Sequence, residues 1–165
     1  MNDFQTVVSA ILGSSVGSAV VTHFLTSRRA EIEFRRKKLE ELWLASDRYC
    51  TTASSSYAAY SQVFNGLLDF NQAQDLFIKH MEKTMNPDAA KTLNMVAQIY
   101  FPKLIPHVSA VVEAVFALST VVNNVRSAHN AGNSLSYFSP AFNAAMLNAD
   151  SKKQSLMTEM SKITK

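Results

Sequence analysis

Near its N-terminus the chain has a segment of 24 residues, 4–27, that contains no Asp, Glu, Lys or Arg. As an α-helix rising 1.5 Å per residue, this segment would be about 36 Å long, which exceeds the ~30 Å hydrocarbon core of a bilayer. Its Ser and Thr side chains can hydrogen-bond to carbonyls of the preceding turn, so they are tolerated in lipid. Residues 1–27 are therefore predicted to form a transmembrane anchor.

A basic cluster follows the uncharged segment directly, and we predict a juxtamembrane helix over residues 28–38. The cluster holds six basic and two acidic side chains, a local charge of +4 in a chain whose net charge is +3. Because an excess of Lys and Arg marks the cytoplasmic side, we expect the N-terminus outside and the bulk of the chain in the cytoplasm, at the inner membrane. The expected contacts with anionic lipid headgroups come from Arg28, Arg29, Arg35, Arg36, Lys37 and Lys38.

Other interpretations of this N-terminal region remain open. A cleaved signal peptide needs positive charge before its apolar stretch, but the only charged side chain there is Asp3, so an uncleaved anchor is favoured. An amphipathic helix of a soluble bundle is the simpler alternative. Nucleic-acid binding is disfavoured, because the basic residues lie where a membrane surface would cover them.

Small residues recur at every fourth position within the predicted anchor. Ser9, Gly13 and Gly17 share one helix face, and such rows let two helix backbones approach closely in lipid. The spacing predicts self-association through this face, and thus a homo-oligomer.

Residues 39–165 are predicted to form a cytoplasmic helical bundle. Two rows with a spacing of seven residues make a continuous stripe typical of a helix in a bundle. Trp43 lies on this stripe, and we interpret it as a core residue, with a partner-binding surface as the alternative. The rows are Leu39, Ser46, Ala53, Tyr60 and Leu67, and Trp43, Cys50, Tyr57 and Phe64.

Turn and capping signals divide the rest of the bundle. Asn65-Gly66 predicts a first break, and Asn71 with Gln74 resembles a capping box that opens a helix over 72–84. Asn86-Pro87-Asp88 predicts the start of a helix that ends near residue 101, and Ser139-Pro140 predicts the start of the last one. The helix over 72–84 has the predicted inner face Phe77, Ile78, Met81 and Met85. The last helix has the predicted inner face Phe142, Met146, Ala149, Leu156, Met160 and Ile163.

The segment 103–131 is the second part of the chain that is rich in apolar residues. One polar stripe on an otherwise apolar helix favours a central bundle helix, with a second membrane crossing as the alternative. The stripe comprises Ser109, Glu113, Thr120, Asn124 and Ser127. No strand-like alternation persists anywhere, so the predicted fold class is all-α. The architecture is an N-terminal transmembrane helix that continues into an antiparallel bundle of four to five helices.

No pattern in the chain indicates catalysis. It contains no glycine-rich phosphate loop and no nucleophile elbow, and its four His residues lie in four separate segments. Cys50 falls on the inward stripe and is interpreted as a small core residue. Glu113 is interpreted as an acid at the solvent edge or one hydrogen-bonded between helices. We therefore expect no metal, no cofactor and no enzymatic activity.

The stretch GSAVVTHFLTSRRAEIEFRRKKLEELWLASDRY, residues 17–49, resembles a loose class of bacterial single-pass membrane proteins. Such proteins combine a short outward N-terminus, a Gly/Ser-containing anchor, an Arg/Lys-rich exit and a cytoplasmic helical bundle. Most of them have no known activity. The resemblance also implies a link to bacterial anti-phage systems, in which some members act as small effectors or accessories.

Two functions follow as hypotheses. The first is a non-enzymatic, membrane-anchored scaffold or sensor that acts through protein–protein contacts and is oligomeric. The alternative is a membrane-perturbing effector of toxin, holin or defence type, which assembles through the face of Gly13 and Gly17.

Overall fold

The computed structural model describes residues 3–84, 86 and 88–163, and the side chains of those from residue 18 onward. The described residues form five α-helices and no strand, so the predicted all-α class is confirmed. The helices are α1 (Asp3–Phe64), α2 (Phe70–Thr84), α3 (Ala89–Tyr100), α4 (Ile105–Asn130) and α5 (Ser139–Ile163). Short 3-10 turns, Pro102–Leu104 and Ser136–Phe138, precede α4 and α5.

The chain divides into two compact units, Met1–Lys38 and Leu39–Lys165. The first unit consists of the N-terminal part of α1. The second contains the C-terminal part of α1 and the other four helices. The division coincides with the boundary between the predicted basic helix and the predicted bundle. The assignment of 1–27 as a membrane anchor stays a prediction.

Ring contacts in the second unit show that α2 runs antiparallel to α1. The ring centroids of Tyr57 and Phe77 are 5.1 Å apart, and those of Tyr60 and Phe70 are 5.7 Å apart. Tyr60 comes one turn after Tyr57 on α1, whereas Phe70 comes two turns before Phe77 on α2, so the two helices run in opposite directions. These rings belong to a core cluster to which α4 and α5 also contribute. Its fully buried members include Tyr60, Leu118, Val125 and Phe142.

A second core cluster forms around the start of the bundle segment of α1. Leu42 on α1 and Leu93 on α3 are both fully buried in it. Residues from the start of α4 and the end of α5 complete this cluster, so these two helices are antiparallel. Its members include Leu39, Leu42, Leu93, Val96, Val108, Val111, Leu156 and Met160. Helices α2 and α3 thus follow one another along α1, and a short non-helical connection separates the end of α2 from the start of α3.

Two glycines end helices: Gly66 follows α1, at the break that Asn65-Gly66 predicts, and Gly132 follows α4. Gly66 and Gly132 have φ values of +69° and +73°, a conformation that favours glycine because it has no Cβ. In both turns the next residue donates a hydrogen bond to the carbonyl five residues earlier, Leu67 to Gln62 and Asn133 to Ala128, each at 2.9 Å. These Schellman motifs satisfy carbonyls that the helix end would otherwise leave unpaired.

The cap of α2 differs from the prediction. Asp69 Oδ1 accepts a hydrogen bond from the Gln72 amide at 2.8 Å, and Gln72 Oε1 accepts one from the Asp69 amide at 3.1 Å. This reciprocal pair is a capping box, so the prediction of Asn71 with Gln74 was wrong by two residues. Helix α2 therefore begins at Phe70, which is buried, as is Ala73.

Several predicted core positions are exposed instead. Trp43 is 44% exposed, so its interpretation as a core residue was wrong. Ile78 and Ile163 are 42% and 40% exposed, so their assignment to the inner faces of their helices was wrong; Ile163 is the last residue of α5. Leu67 is 71% exposed, because α1 ends before it.

The described residues include one helix, Pro102–Asn130, that is long and apolar enough to cross a membrane by length and composition. Its buried side chains repeat every three to four residues and enter both core clusters, which is the pattern expected for a bundle helix. They are Val108, Val111, Ala114, Leu118, Val122, Val125 and Ala128. The predicted polar stripe faces outward, and Glu113 is exposed, so its interpretation as an acid at the solvent edge is confirmed.

Candidate functional site

The described part of the predicted anchor presents an uncovered apolar surface. Every side chain from residue 18 to residue 27 is exposed, including four large apolar ones. These are Val20, Val21, Phe24 and Leu25, exposed by 49% to 63%. Contiguous exposed apolar surface on a helix marks a contact with lipid or with another protein.

The basic segment of α1 is also exposed. Its side chains from residue 28 to residue 37 are all accessible, and Lys38 is half-buried. The Nζ atom of Lys38 lies 6.0 Å from the centre of the Phe34 ring, within the range of a cation–π contact. Five of the six predicted headgroup-binding side chains are therefore accessible to an anionic surface: Arg28, Arg29, Arg35, Arg36 and Lys37.

The predicted oligomerisation face lies outside the described side chains. Ser9, Gly13 and Gly17 belong to α1, whose helical backbone begins at Asp3. Their spacing of four residues on this backbone keeps them on one face, and self-association through it stays a prediction.

The second unit contains a cavity of about 310 Å³ between α1 and α4. It lies beside the connection between the end of α2 at Thr84 and the start of α3 at Ala89. Its walls are largely aromatic and aliphatic, and Phe116 on its rim is 72% exposed. The apolar lining comprises Tyr49, Ala53, Tyr57, Met81, Ala89, Ala90, Val112, Val115 and Phe116. Cavities of this kind, with few polar groups, are typical of small-molecule sites.

Four polar side chains also line this cavity: Arg48, Thr52, Asn86 and Ser119. Arg48 is exposed and, within the part of the chain that the structure describes, forms no hydrogen bond or ion pair. Arg48, Asn86 and Ala89 also line an adjoining smaller cavity. Arg48 contributes a positive charge to the mouth of the larger cavity, Glu41 lines the adjoining cavity with it, and the opposite part of the larger cavity is apolar. Burial raises the pKa of the Tyr49 hydroxyl, and the nearby Cys50 and Tyr57 add to this effect.

A different groove between α1 and α2 has a basic wall formed by Lys79, His80 and Lys83. It is shallower and more polar than the cavity at Arg48. Ser56, which is fully buried, lines it with a hydroxyl that has no hydrogen-bond partner among the described residues.

The structure does not bring the His and Cys side chains together. His107 Nδ1 lies 3.4 Å from Ser155 Oγ, and the His129 ring stacks on Phe70 at 4.6 Å. Cys50 is buried, as predicted, and burial raises the pKa of its thiol to about 11. Within the described ranges, no group of three or more His, Cys, Asp or Glu side chains is arranged to hold a metal ion.

Sequence reasoning missed the cavity at Arg48. Its lining comes from four helices, and the heptad rows place Ala53 and Tyr57 in the core without indicating that a space lies beside them. The available signal was Phe116, a large apolar residue three positions after Glu113 and four before Thr120, which places it within the predicted polar stripe of α4.

Comparisons with known proteins give no relative from which a function can be transferred. No protein-family model matches the chain, no curated protein matches it in sequence, and no solved structure matches its fold. Its function has to be argued from its own residues.

Proposed function

We propose that this protein is a membrane-anchored, non-enzymatic helical scaffold or sensor that acts through protein–protein contacts. The observation that carries the proposal is the exposed apolar surface of residues 18–27, followed directly by exposed basic residues. Transfer of such apolar side chains from water into lipid is favourable, at roughly 25 cal/mol per Å² of buried apolar surface. A lipid bilayer is therefore the environment that this surface fits best.

The basic residues support an orientation with the N-terminus outside and the second unit in the cytoplasm. Each Lys or Arg close to an anionic membrane surface contributes about 1 kcal/mol to the attraction. The exposed side chains of Arg28, Arg29, Arg35, Arg36 and Lys37 would contact the headgroups of the inner leaflet. We place the protein in the inner membrane on this basis.

The anchor is tested by fractionation of the full chain. Val21→Asp introduces a charge into the apolar surface, at a cost that reaches about 3 kcal/mol at the bilayer centre and is smaller at Val21, which lies nearer the cytoplasmic end of the predicted anchor. We expect the unmodified chain to need detergent for extraction and Val21→Asp to release part of it. Leu147→Asp, at a 72% exposed position on α5, is the matched control and should leave fractionation unchanged. A full chain that stays soluble without detergent would refute the anchor.

The orientation is tested with a reporter fused after Lys165. A reporter that works only in the cytoplasm should be active, and one that works only outside the inner membrane should be inactive. Replacement of the six basic residues of 28–38 by Gln should weaken this orientation. Activity of the external reporter in the unmodified chain would overturn it.

Self-association within the membrane is part of the proposal. Gly13→Leu and Gly17→Leu should reduce chemical cross-linking between copies of the full chain in bilayers, because they separate the helix backbones. Ser15→Leu, on the opposite side of the helix, is the control and should leave cross-linking unchanged.

The surface of the second unit offers a place for partner contacts. Trp43 and Leu44, adjacent on α1, are 44% and 48% exposed, and Trp is enriched at protein interfaces. A photo-cross-linking residue at position 43 should trap a defined partner in cells, whereas the same residue at the exposed Ser151 should not. Equal trapping at both positions would argue against this surface.

The alternative, a membrane-perturbing effector, draws on the same row of small residues in the anchor. It predicts rapid loss of membrane potential on overexpression, detected with a potential-sensitive dye, and its suppression by Gly13→Leu. An intact potential at unchanged growth rate would eliminate the effector and leave the scaffold or sensor.

A further inference from the structure

We propose that the cavity beside Arg48 binds a medium-chain amphiphile with a carboxylate head, such as a ten-carbon fatty acid. The carboxylate would pair with Arg48, and the chain would lie between α1 and α4. This inference goes beyond the proposed function and does not require the anchor, since the cavity belongs to the second unit alone.

The walls of the cavity select an apolar chain. Tyr49 and Tyr57 on α1 lie opposite Val112, Val115 and Phe116 on α4. An aliphatic chain between these walls would shield Phe116, which is otherwise 72% exposed to solvent. Each further methylene group so buried should lower the Kd about fourfold, so binding should depend on chain length.

The mouth of the cavity selects a negatively charged head. The Arg48 guanidinium makes no ion pair among the described residues, and its planar donor pair matches the two oxygens of a carboxylate. Helix α3 adds to this preference, because Ala89 and Ala90 of its first turn line the same cavity. The N-terminal end of a helix is positive, and the Asp88 carboxylate at the N-cap of α3 offsets part of this charge, so Arg48 supplies the main attraction.

The size of the cavity limits the ligand to one short chain. Val112 and Ser119 line the cavity on one face of α4 and are seven residues apart, which places them roughly 10 Å apart along the helix axis. An extended alkyl chain of about ten carbons has a similar length. A volume of about 310 Å³ lies at the small end of ligand sites, so a two-chain phospholipid does not fit. A partner helix would need a longer groove with successive anchor points.

The test is a titration of the full chain carrying ¹³C-labelled methionine methyl groups, in phosphatidylcholine nanodiscs or, if the chain stays soluble without detergent, in buffer alone. Met81 lines the cavity, whereas Met95 is 46% exposed on α3 and does not line it. Decanoate should shift the Met81 resonance saturably and leave that of Met95 in place. Decanol and decyltrimethylammonium should bind at least about tenfold more weakly, because they lack the anionic head.

Variants test the binding of the carboxylate head and the binding of the alkyl chain separately. Arg48→Gln should raise the Kd for decanoate about tenfold, and Arg48→Lys should raise it less. Lys152→Gln removes an exposed cation on α5 and is the matched control, with an unchanged Kd expected. Val115→Trp should fill the cavity and abolish the Met81 shift. Unchanged resonances of the buried Met157 and Met160 would show that each variant is folded.

The proposal would be overturned by the absence of a saturable Met81 shift, by an unchanged Kd in Arg48→Gln, or by equal binding of the anionic and cationic amphiphiles. Equal shifts of Met81 and Met95 would show that decanoate only partitions into the nanodisc, and would also overturn it. A failed anchor test with a saturable Met81 shift would refute the proposed function and leave this site standing.

Discussion

The Nζ atom of Lys153 on α5 lies 2.7 Å from Oδ1 of Asp47 on α1, an ion pair between residues 106 positions apart in the sequence. Thr51 donates a second, longer hydrogen bond of 3.4 Å to the same oxygen. The pair joins the bundle segment of α1 to the last helix close to the cluster that contains Cys50, Leu156 and Met157. It shows which face of α5 meets α1, a face that the core residues Leu156 and Met160 also present.

The ion pair makes stability depend on pH. The hydrogen bond from Lys153 lowers the pKa of Asp47 below its ordinary value, partly opposed by burial, and the charge of Lys153 lowers it further. A carboxyl whose pKa is lower in the folded state stabilises the fold above its unfolded pKa, near 4, and this contribution is lost as the pH falls through the folded value.

Asp47→Asn should therefore lower the free energy of unfolding at pH 7 by less than about 1 kcal/mol, because the Asp47 side chain is 49% exposed to solvent. At pH 2 to 3 the difference from the unmodified chain should shrink towards zero. Urea unfolding of both proteins at the two pH values measures this. Lys153→Met should show no further loss in the Asp47→Asn background; additive losses would show that the two side chains do not interact.

The single cysteine should be unreactive in the folded chain. Burial raises the pKa of Cys50 to about 11, so only about one thiol in a thousand is ionised at pH 8. We expect a thiol-specific reagent to modify the folded chain more than 100-fold more slowly than the chain unfolded in urea. Ser151→Cys in a Cys50→Ala background places a thiol at an exposed position and should react at the rate of an unfolded chain. Rapid native-state modification of Cys50 would contradict its burial.

A buried hydroxyl predicts a stabilising substitution. Ser46 is fully buried on the inward stripe of α1, and its hydroxyl has no hydrogen-bond partner in the described part of the chain. Ser46→Ala removes this unpaired group and should raise the free energy of unfolding by about 1 kcal/mol. Ser55→Ala, at an exposed site of the same helix, is the control. It should raise the free energy of unfolding by about 0.5 kcal/mol, through the higher helix propensity of Ala alone. An equal gain at both sites would mean that the Ser46 hydroxyl is satisfied by water.

The heptad spacing correctly predicted four of the five core positions of one row, all but Leu67, and was less successful for the other row. Leu39, Ser46, Ala53 and Tyr60 are all buried as expected, since a seven-residue repeat keeps them on one face of α1. Trp43 shares a row with the buried Cys50, but it lies closer to the edge of the stripe. Whether an edge position is covered depends on the neighbouring helix, which the spacing within α1 does not define.

The cavity beside Arg48 was beyond prediction for a related reason. It depends on where α2 ends and α3 begins, and on which side chains of α1 and α4 face that interruption. Sequence patterns located the interruption at residues 86–88. They did not reveal that α3 follows α2 along the same side of α1, because this arrangement is set by packing in the two core clusters.

The start of α2 provides a direct test of local sequence signals. Two residue pairs three positions apart, Asp69 with Gln72 and Asn71 with Gln74, have the composition of a capping box, but only the first makes the reciprocal hydrogen bonds. Its position is decided by Phe70, which is 3% exposed and must lie within the first turn to reach Tyr60. A start at residue 72 would leave Phe70 outside the helix.

Asp69→Ala should therefore lower the free energy of unfolding by about 1 kcal/mol, since it leaves the Gln72 amide without its partner. Gln72→Ala should cost less, because the Asp69 amide that it leaves unpaired lies at an exposed position that water can reach. Asn71→Ala is the matched control and should be neutral within about 0.5 kcal/mol, as expected for an exposed helical position. Urea unfolding of the three variants measures the differences, and a greater loss in Asn71→Ala than in Asp69→Ala would place the cap where the sequence pattern first predicted it.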